Sequence, residues 1–328
     1  MDETAFGKRN EKGEWTPHTA LKTAPVFAWP FRLRDFLQWL PGYFLPWNAV
    51  LFAIACLCWA FLTPSEAVIT GSIGWVFAIY LRNAIGLFLF YSLFEARLYL
   101  KRRQGTAFKY NARFPADKPR KGFLFGNQTK DGMVRSLFVG VPIWTLYEAG
   151  VLWMFAKGIV LFEAPGLWWL VTLGLVIPIL HEAMFYLGHR LLHTRALYAP
   201  VHALHHKAVN PSPWSSLAMH PVEHAIYFST ILLHLVAASH PLLAMYQIFY
   251  AGYGAIVGHL GFDRIVLDDD RSIDTHAYAH YLHHKYFEVN YGDGLVPFDK
   301  LFGTWHDGSE AGQAAMKARR LTRSSETI

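Results

Sequence analysis

Long apolar runs constrain the fold of this chain more than any other feature of its sequence. Hydrophobic residues make up 53% of the 328 residues and charged residues only 16%, whereas soluble domains carry roughly 25% charged residues. A bilayer core about 30 Å thick needs roughly 20 apolar residues per helix. Runs of about that length lie at 45–63, 73–99, 134–155 and 166–187. A further run, 225–260, is broken at Ser239-His240-Pro241 and predicts a hairpin of two shorter helices.

The distribution of basic residues predicts the orientation of these helices. The loop after the second run carries ten Lys and Arg side chains against Asp117 and Asp131: Lys101, Arg102, Arg103, Lys109, Arg113, Lys118, Arg120, Lys121, Lys130 and Arg135. The short connections at 64–72 and 156–165 hold only Lys157. The positive-inside rule therefore places residues 101–135 in the cytoplasm. These basic residues adjoin membrane helices without a nucleic-acid-binding motif, so no nucleic-acid partner is expected.

Four smaller features complete this outline. Residues 1–40 are polar and predict an N-terminal arm, with an interfacial amphipathic helix at 31–40. Arg82 lies inside an apolar run, where a charge is costly, so it should face protein or its helix should tilt. The two cysteines, Cys56 and Cys58, are too few for an iron–sulfur cluster or a disulfide framework. Gly254-x₃-Gly258 predicts a close helix-packing face.

Sixteen of the 17 histidines lie between residues 181 and 306, and eight of them form three spaced motifs. The motifs are His189-x₃-His193, His202-x₂-His205-His206 and His280-x₂-His283-His284. Residues three and four apart lie on the same face of a helix, so each motif offers imidazoles in one direction. Neutral imidazole is a good ligand for first-row metals. Eight imidazoles exceed the need of one ion, so the pattern predicts a site for two ions.

A mononuclear zinc site is the main alternative for these histidines. The zinc-protease pattern H-E-x-x-H is missing, because His181-Glu182 has no second histidine three residues later. A set rich in histidine, poor in carboxylate and without cysteine favours iron that handles dioxygen, although ligand type alone does not identify the metal. Further H-x₃-H pairs make His224 and His276 candidate extra ligands. His181 is expected at a helix end, with His234 and His240 at the far end of the hairpin.

Carboxylate and phenol side chains near these motifs are candidates to orient the imidazoles through their second nitrogen. Glu182 and Tyr186 precede His189 by seven and three residues and share its helix face. Glu223 and Asp274 are further candidates. Each of these groups could equally be a solvated charge at the membrane surface.

The segment from Glu182 to Thr304 resembles the fatty acid hydroxylase / sterol desaturase superfamily. Glu182-x₃-Tyr186-x₂-His189-Arg-x₂-His193 is similar to the family's first box, with Glu where Asp is common. The other matching segments are Leu197-Tyr198 with His202-x₂-His205-His206-Lys207, Pro213, His220-Pro-Val-Glu223, His259-Leu-Gly, His280-x₂-His283-His284, Asn290-Tyr-Gly292 and Asp299-Lys-Leu-Phe-Gly-Thr304. The resemblance adds His259 to the expected ligands and makes His220 and Asn290 expected supporting residues.

The resemblance implies two iron ions, dioxygen as co-substrate and electrons from an external donor. The donor is expected to be a ferredoxin or cytochrome b5 type protein with its reductase, and no catalytic residue is expected beyond the metal site. The first hypothesis is a lipid hydroxylase acting on an acyl chain or a polar head of the ornithine-lipid type. Alternatives are a sterol C-5 desaturase, a carotenoid hydroxylase, and a non-catalytic transporter or metal-binding protein.

The sequence thus predicts an all-α integral membrane protein with about four to six transmembrane helices. A cytoplasmic helical cap would hold a poly-histidine di-metal site. The expected divisions are an arm at 1–40, a transmembrane hairpin with the basic loop at 41–133, a catalytic domain at 134–308 and a polar tail at 309–328. Because no fused cytochrome b5 module or retrieval tail is apparent, the expected location is a bacterial inner membrane with the histidines facing the cytoplasm.

Overall fold

The computed structural model of the protein describes residues 1–115, 119–162 and 166–325. Asp117 and Lys118 of the basic loop, part of the 156–165 connection and the end of the 309–328 tail lie outside these residues. The described chain is mainly helical, as predicted. It also contains two short antiparallel pairs, β1 (Gly7–Arg9) with β2 (Trp15–Pro17) and β3 (Arg264–Val266) with β4 (Ser272–Asp274).

The helices before residue 193 account for the first four apolar runs. They are α1 (Leu33–Phe44), α2 (Trp47–Leu62), α3 (Glu66–Gly71), α4 (Trp75–Leu100), α5 (Gln128–Ala156) and α6 (Leu167–Leu192). Helices α4, α5 and α6 are each long and apolar enough to cross a membrane. Helices α1 and α2 meet at a bend of 45° and make a fourth candidate if the pair counts as one span. The chain is therefore a membrane protein, with up to four spans found by length and composition among the described residues.

The second half of the chain consists of shorter helices around one long buried helix. In order they are α7 (Arg195–Tyr198), α8 (Pro221–Phe228), α9 (Leu233–Val236), α10 (Pro241–His259), α11 (Tyr278–Tyr286), α12 (Phe298–Leu301) and α13 (Glu310–Ser325). Helix α10 packs against α2, α5, α6 and α11. The predicted break before Pro241 is present, and His240 caps α10 by accepting a hydrogen bond from the Leu242 amide at 3.2 Å. Helix α10 therefore connects the membrane helices with the histidine-bearing segments.

Arg82 faces protein, which is one of the two solutions that its position required. Its guanidinium donates to the Glu148 carboxylate of α5, and only 7% of the Arg82 side chain and 1% of the Glu148 side chain are exposed. Asn83 Nδ2 also donates to Glu148 Oε2 at 2.9 Å. Because each charge has a partner, helices α4 and α5 can hold this pair away from lipid.

The N-terminal arm is fixed to the basic loop. The Trp15 side chain is 1% exposed, and its backbone amide donates to the Tyr110 carbonyl at 2.9 Å. Arg9 donates to the Lys109 carbonyl at 3.0 Å. The arm therefore packs onto the part of the molecule that carries the histidines, instead of extending freely into water.

Close packing of α10 predicts the effect of adding one methyl group there. At Gly254 a Cβ would approach Leu51 Cδ1 to 3.3 Å, whereas at Gly252 it would lie 2.5 Å from Trp144 Cζ3. Because the Trp144 ring is fully buried, we expect Gly252→Ala to destabilise the protein by about 1–3 kcal/mol, measured as a lower thermal midpoint in detergent. Gly150→Ala in α5 is the matched control, because no atom lies within 4 Å of its Cβ. Equal midpoints for both variants would contradict this packing.

Candidate metal centre

Nine histidines converge in two adjacent groups, and these are the nine expected as ligands. The five-histidine group is His189, His193, His202, His206 and His283, and the four-histidine group is His205, His259, His280 and His284. In each group one nitrogen per residue lies within 4.8 Å of all the others. The geometry suits two metal ions, and the assignment of each residue as a ligand stays a prediction.

The local backbone explains how the motifs divide between the two groups. His189 and His193 are one turn apart at the end of α6, so both reach the five-histidine group. The segment His202–Lys207 forms a 3₁₀ helix. Each H-x₂-H-H motif sends two imidazoles to one group and one to the other. In the first, His205 leaves its neighbours for the four-histidine group; in the second, His283 does the reverse.

Hydrogen bonds at the Nδ1 atoms determine the tautomers of four of these rings. Nδ1 of His189 lies 2.6 Å from the Tyr291 carbonyl, and Nδ1 of His283 lies 2.7 Å from the Val289 carbonyl. His259 Nδ1 contacts the Ala255 carbonyl at 2.9 Å. A carbonyl oxygen can only accept, so these Nδ1 atoms carry the proton. The contact between His202 Nδ1 and Glu223 Oε1, at 2.8 Å, acts in the same way.

The Nε2 atoms of these rings therefore carry lone pairs, and they point at one another. His189 Nε2 and His202 Nε2 are 3.1 Å apart, and His206 Nε2 lies 3.0 Å from His202 Nε2. In the other group His259 Nε2 lies 3.2 Å from His205 Nε2. Between His189 and His202, whose Nδ1 atoms both carry the proton, the facing lone pairs repel each other unless a cation lies between them. Nitrogen ligands about 2.0–2.1 Å from a metal come roughly this close to each other, so the donor set fits metal ions.

Burial keeps these imidazoles neutral, which is the form that binds a metal. Removal from water, followed by repulsion from neighbouring histidines, lowers the pKa of His205, His206, His283 and His284 well below its ordinary value. Burial also raises the pKa of Glu223, and the hydrogen bond with His202 opposes this shift. Neutral rings with free lone pairs need no deprotonation before they bind an ion.

Two of the expected supporting residues act away from the imidazoles. Glu182 accepts hydrogen bonds from the backbone amides of Leu295 at 2.8 Å and Val296 at 3.0 Å. Tyr186 packs its ring on Phe298 and Phe302. Both residues therefore hold the 292–302 segment against α6 and contact no ligand nitrogen through a described hydrogen bond.

The remaining candidates also lie outside the two groups. Asp274 contacts the exposed His276 ring, with 3.2 Å between Oδ1 and Nδ1. His220 caps α8 by accepting from the Val222 amide. His224 is fully buried and stacks on Phe228. Asn290 bonds the backbone of His306 through both ends of its amide.

Several groups that support the ligands were not predicted from the sequence, although Asp299 lies in one of the segments that resemble the family. The carbonyls of Tyr291, Val289 and Ala255 orient three ligands, and a carbonyl is present in every residue. Asp293 Oδ1 lies 3.1 Å from Nδ1 of His280, but the two atoms are not aligned for a hydrogen bond. Asp299 accepts from the amides of Tyr291 at 3.0 Å and Gly292 at 2.8 Å. Asp299 thus fixes the backbone that carries the His189 acceptor.

A cavity of about 980 Å³ opens beside the histidines. Aromatic side chains line it from the metal centre to the first helices: Phe185, Tyr227, Tyr250, Trp39, Tyr43 and Trp47. Residues 17–25 of the N-terminal arm form part of the wall. Its volume lies at the upper end of the range for small-molecule sites, roughly 300–1,000 Å³. A large cavity with many aromatic side chains, between membrane helices and a metal centre, suits a lipid.

The contact between Glu223 and His202 predicts a change in metal affinity. Glu223→Gln is expected to lower affinity about 10–100-fold, because the amide accepts the His202 proton more weakly than a carboxylate does. Competition with a chelator, read as metal per chain, measures the effect. Glu66→Gln on exposed α3 is the control and should retain the metal. Unchanged affinity in Glu223→Gln would exclude the supporting role.

Comparisons with known proteins agree with the geometry. Residues 174–304 match the fatty acid hydroxylase family, and the resemblance inferred from the histidine motifs is thereby confirmed. The matched segment contains all nine converging histidines. No solved structure matches the chain significantly.

Several similar proteins carry the name Delta(7)-sterol 5(6)-desaturase. One from Aspergillus fumigatus is 27% identical over 246 residues, which is 68% of this chain and 72% of that protein. One from Gibberella zeae is 30% identical over 148 residues, 44% of this chain and 40% of the relative. One from Schizosaccharomyces pombe is 30% identical over 129 residues, 38% of this chain and 37% of the relative. The chain therefore matches less than half the length of two of these three relatives.

Proposed function

We propose that the protein is a membrane-bound oxidase that uses two iron ions and dioxygen to oxidise a C–H bond of a membrane lipid. The observation that carries the proposal is the convergence of nine imidazoles, in two groups with inward lone pairs, beside a large aromatic cavity. Imidazole suits iron as well as zinc, copper and nickel. The family match and the names of the relatives favour iron handling dioxygen over those alternatives.

In this proposal the protein binds and positions the lipid, and the metal ions supply the redox chemistry. Bound iron would activate dioxygen. The cavity walls exclude water and direct one C–H bond of the lipid to the metal centre. Hydroxylation inserts one oxygen atom and releases the other as water, with two electrons and two protons consumed. No flavin or nicotinamide motif is apparent in the sequence, so we propose a ferredoxin or cytochrome b5 type donor with its reductase.

Desaturation of a sterol is the second candidate function, and the relatives are the observation that favours it. Desaturation removes two hydrogens from the lipid, and both oxygen atoms of dioxygen leave as water, with two electrons from the donor and two protons consumed. The relatives that are named Delta(7)-sterol 5(6)-desaturases support a polycyclic substrate. The same metal centre serves either outcome, so the product distinguishes them.

A non-catalytic transporter is a weaker candidate. The five-histidine and four-histidine groups lie at the ends of α6 and α10, on the 3₁₀ segment His202–Lys207 and on α11, not along a helix through the membrane. A carotenoid hydroxylase remains within the proposed chemistry and differs only in substrate.

We also propose that the histidine groups face the cytoplasm. This orientation rests on the basic loop before α5 and on the positive-inside rule. The expectation of a bacterial inner membrane finds no support in the three relatives described above, which are fungal.

Lipid profiling by mass spectrometry tests the proposal. The protein and its His202→Ala variant are expressed with an electron donor in membranes that contain Delta(7)-sterols and common phospholipids, under air. A lipid that gains one oxygen atom only with the unaltered protein supports hydroxylation, and one that loses two hydrogens supports desaturation. If the unaltered protein binds two irons per chain and yet yields the same lipids as the variant, the proposed oxidation is contradicted.

A further inference from the structure

His181 is a buried polar side chain with no role in the metal groups. It lies in the interior of α6, which continues to Leu192, so the prediction that His181 ends a helix is wrong. The residue is 5% exposed, and its Nδ1 has no hydrogen-bond partner among the described residues. A buried polar group without a partner costs roughly 1–3 kcal/mol. Because His181 also lines the cavity, a ligand held there would satisfy this group.

Among the described residues around His181, none accepts from or donates to its Nδ1 atom. The imidazole lines the cavity and meets the Tyr250 ring at 5.1 Å and the Tyr227 ring at 5.7 Å, both edge to face. The Tyr227 hydroxyl already donates to the Ala251 carbonyl at 2.8 Å. His181 is thus a polar group set between two aromatic rings, in a wall that Glu182 and Asp293 also line, and such an arrangement orients a largely apolar ligand.

The distance from the metal centre also suits an orienting role. One ring, that of Phe185, separates His181 from the metal-facing His189. Ring centroids are 6.5 Å apart between His181 and Phe185, and 4.9 Å apart between Phe185 and His189. A lipid whose hydroxyl is hydrogen-bonded to His181 would therefore extend along Phe185. A carbon several bonds from that hydroxyl would then lie at the metal centre.

We propose that His181 is a specificity residue that hydrogen-bonds a hydroxyl group of the lipid substrate. The inference rests on the proposed oxidation of a lipid in this cavity. A neutral imidazole offers one donor and one acceptor, and a hydroxyl can complement either. The substrate class is thus a lipid alcohol, and the hydroxyl position determines which C–H bond is oxidised.

Binding to the purified full-length protein in nanodiscs tests this inference without turnover. The probes are a Delta(7)-sterol and the same sterol without its hydroxyl, and a long-chain primary alcohol and the alkane of equal length. Fluorescence of Trp39 and Trp47, which line the cavity, reports binding. The protein should bind the alcohol of at least one pair about tenfold more tightly than its hydrocarbon. His181→Leu should bring that ratio close to one.

His224→Leu is the matched control. His224 is also buried with both ring nitrogens unpartnered among the described residues, but it does not line the cavity. We expect this variant to retain the preference for the alcohol. Both variants should retain their metal, since neither histidine belongs to a metal group.

The outcomes separate this inference from the proposed function. If the unaltered protein prefers no alcohol, or if His181→Leu retains the preference, the role of His181 is refuted whatever the oxidase activity. If the preference behaves as expected but the lipids in the profiling experiment do not change, the polar contact stands and the proposed oxidation fails.

Discussion

Replacement of His206 by alanine should abolish lipid oxidation and remove the ion of the five-histidine group. Nε2 of His206 lies 3.0 Å from that of His202 and 3.1 Å from those of His193 and His283. Its loss therefore opens the centre of the group. Removing a partner that merely orients a ligand lowers metal affinity or activity about 10–100-fold. Removing the His206 imidazole itself should therefore lower both by more than about 100-fold.

The division into two groups makes a sharper prediction for His205. His205→Ala should remove the ion of the four-histidine group and leave the other ion bound, because its Nε2 contacts His259 at 3.2 Å. The metal content measured by elemental analysis should then fall from two ions per chain to about one, and activity should be lost. His276→Ala is the control, since this exposed ring contacts Asp274 and lies outside both groups.

Three results would change the assignment. Loss of both ions in His205→Ala would mean that the groups do not bind independently. Full metal content in both His205→Ala and His206→Ala would contradict the metal centre itself. Loss of metal in His276→Ala would return that residue to the ligand set.

The ligand histidines could be predicted because helical spacing fixes direction. Side chains three and four apart on one turn must point the same way, so His280, His283 and His284 were expected at one site. Their division between two groups could not be predicted. That division depends on how the 3₁₀ turn His202–Lys207 meets α11, which is a long-range contact.

The residues that support the ligands were harder to predict, for a physical reason. Seven residues of helix separate Glu182 from His189, a rise of about 10.5 Å, so sharing a face did not bring them into contact. Glu182 instead accepts hydrogen bonds from the backbone amides of Leu295 and Val296. Backbone carbonyls such as that of Tyr291 orient the imidazoles, and no residue type marks a carbonyl in advance.

The membrane helices followed from composition, and their ends did not. Helix α5 begins at Gln128, where a start near 134 was expected, and α6 ends at Leu192, beyond the expected 187. In both cases polar residues continue the helix beyond its apolar run. This extension carries His189 on α6, so this proposed metal ligand stands on a helix that begins in the membrane.

Asp299 is expected to be the residue outside the metal groups whose loss most damages both stability and the site. It is 1% exposed and accepts three hydrogen bonds, from the amides of Tyr291 and Gly292 and from the Thr304 hydroxyl at 2.5 Å. Alanine would remove the carboxylate that accepts from all three donors, and the loss of a buried acceptor costs roughly 1–3 kcal/mol for each donor. We expect Asp299→Ala to lose roughly 3 kcal/mol or more, seen as a lower thermal midpoint.

The same substitution should weaken the five-histidine group, although Asp299 touches no ligand. The Tyr291 carbonyl accepts the Nδ1 proton of His189 at 2.6 Å, and Asp299 holds the Tyr291 amide. Metal affinity in Asp299→Ala should therefore fall even at temperatures where the chain stays folded. Asp270→Ala, at an exposed position, should change neither quantity. A lower midpoint with unchanged metal affinity would mean that Asp299 stabilises the loop but does not position His189.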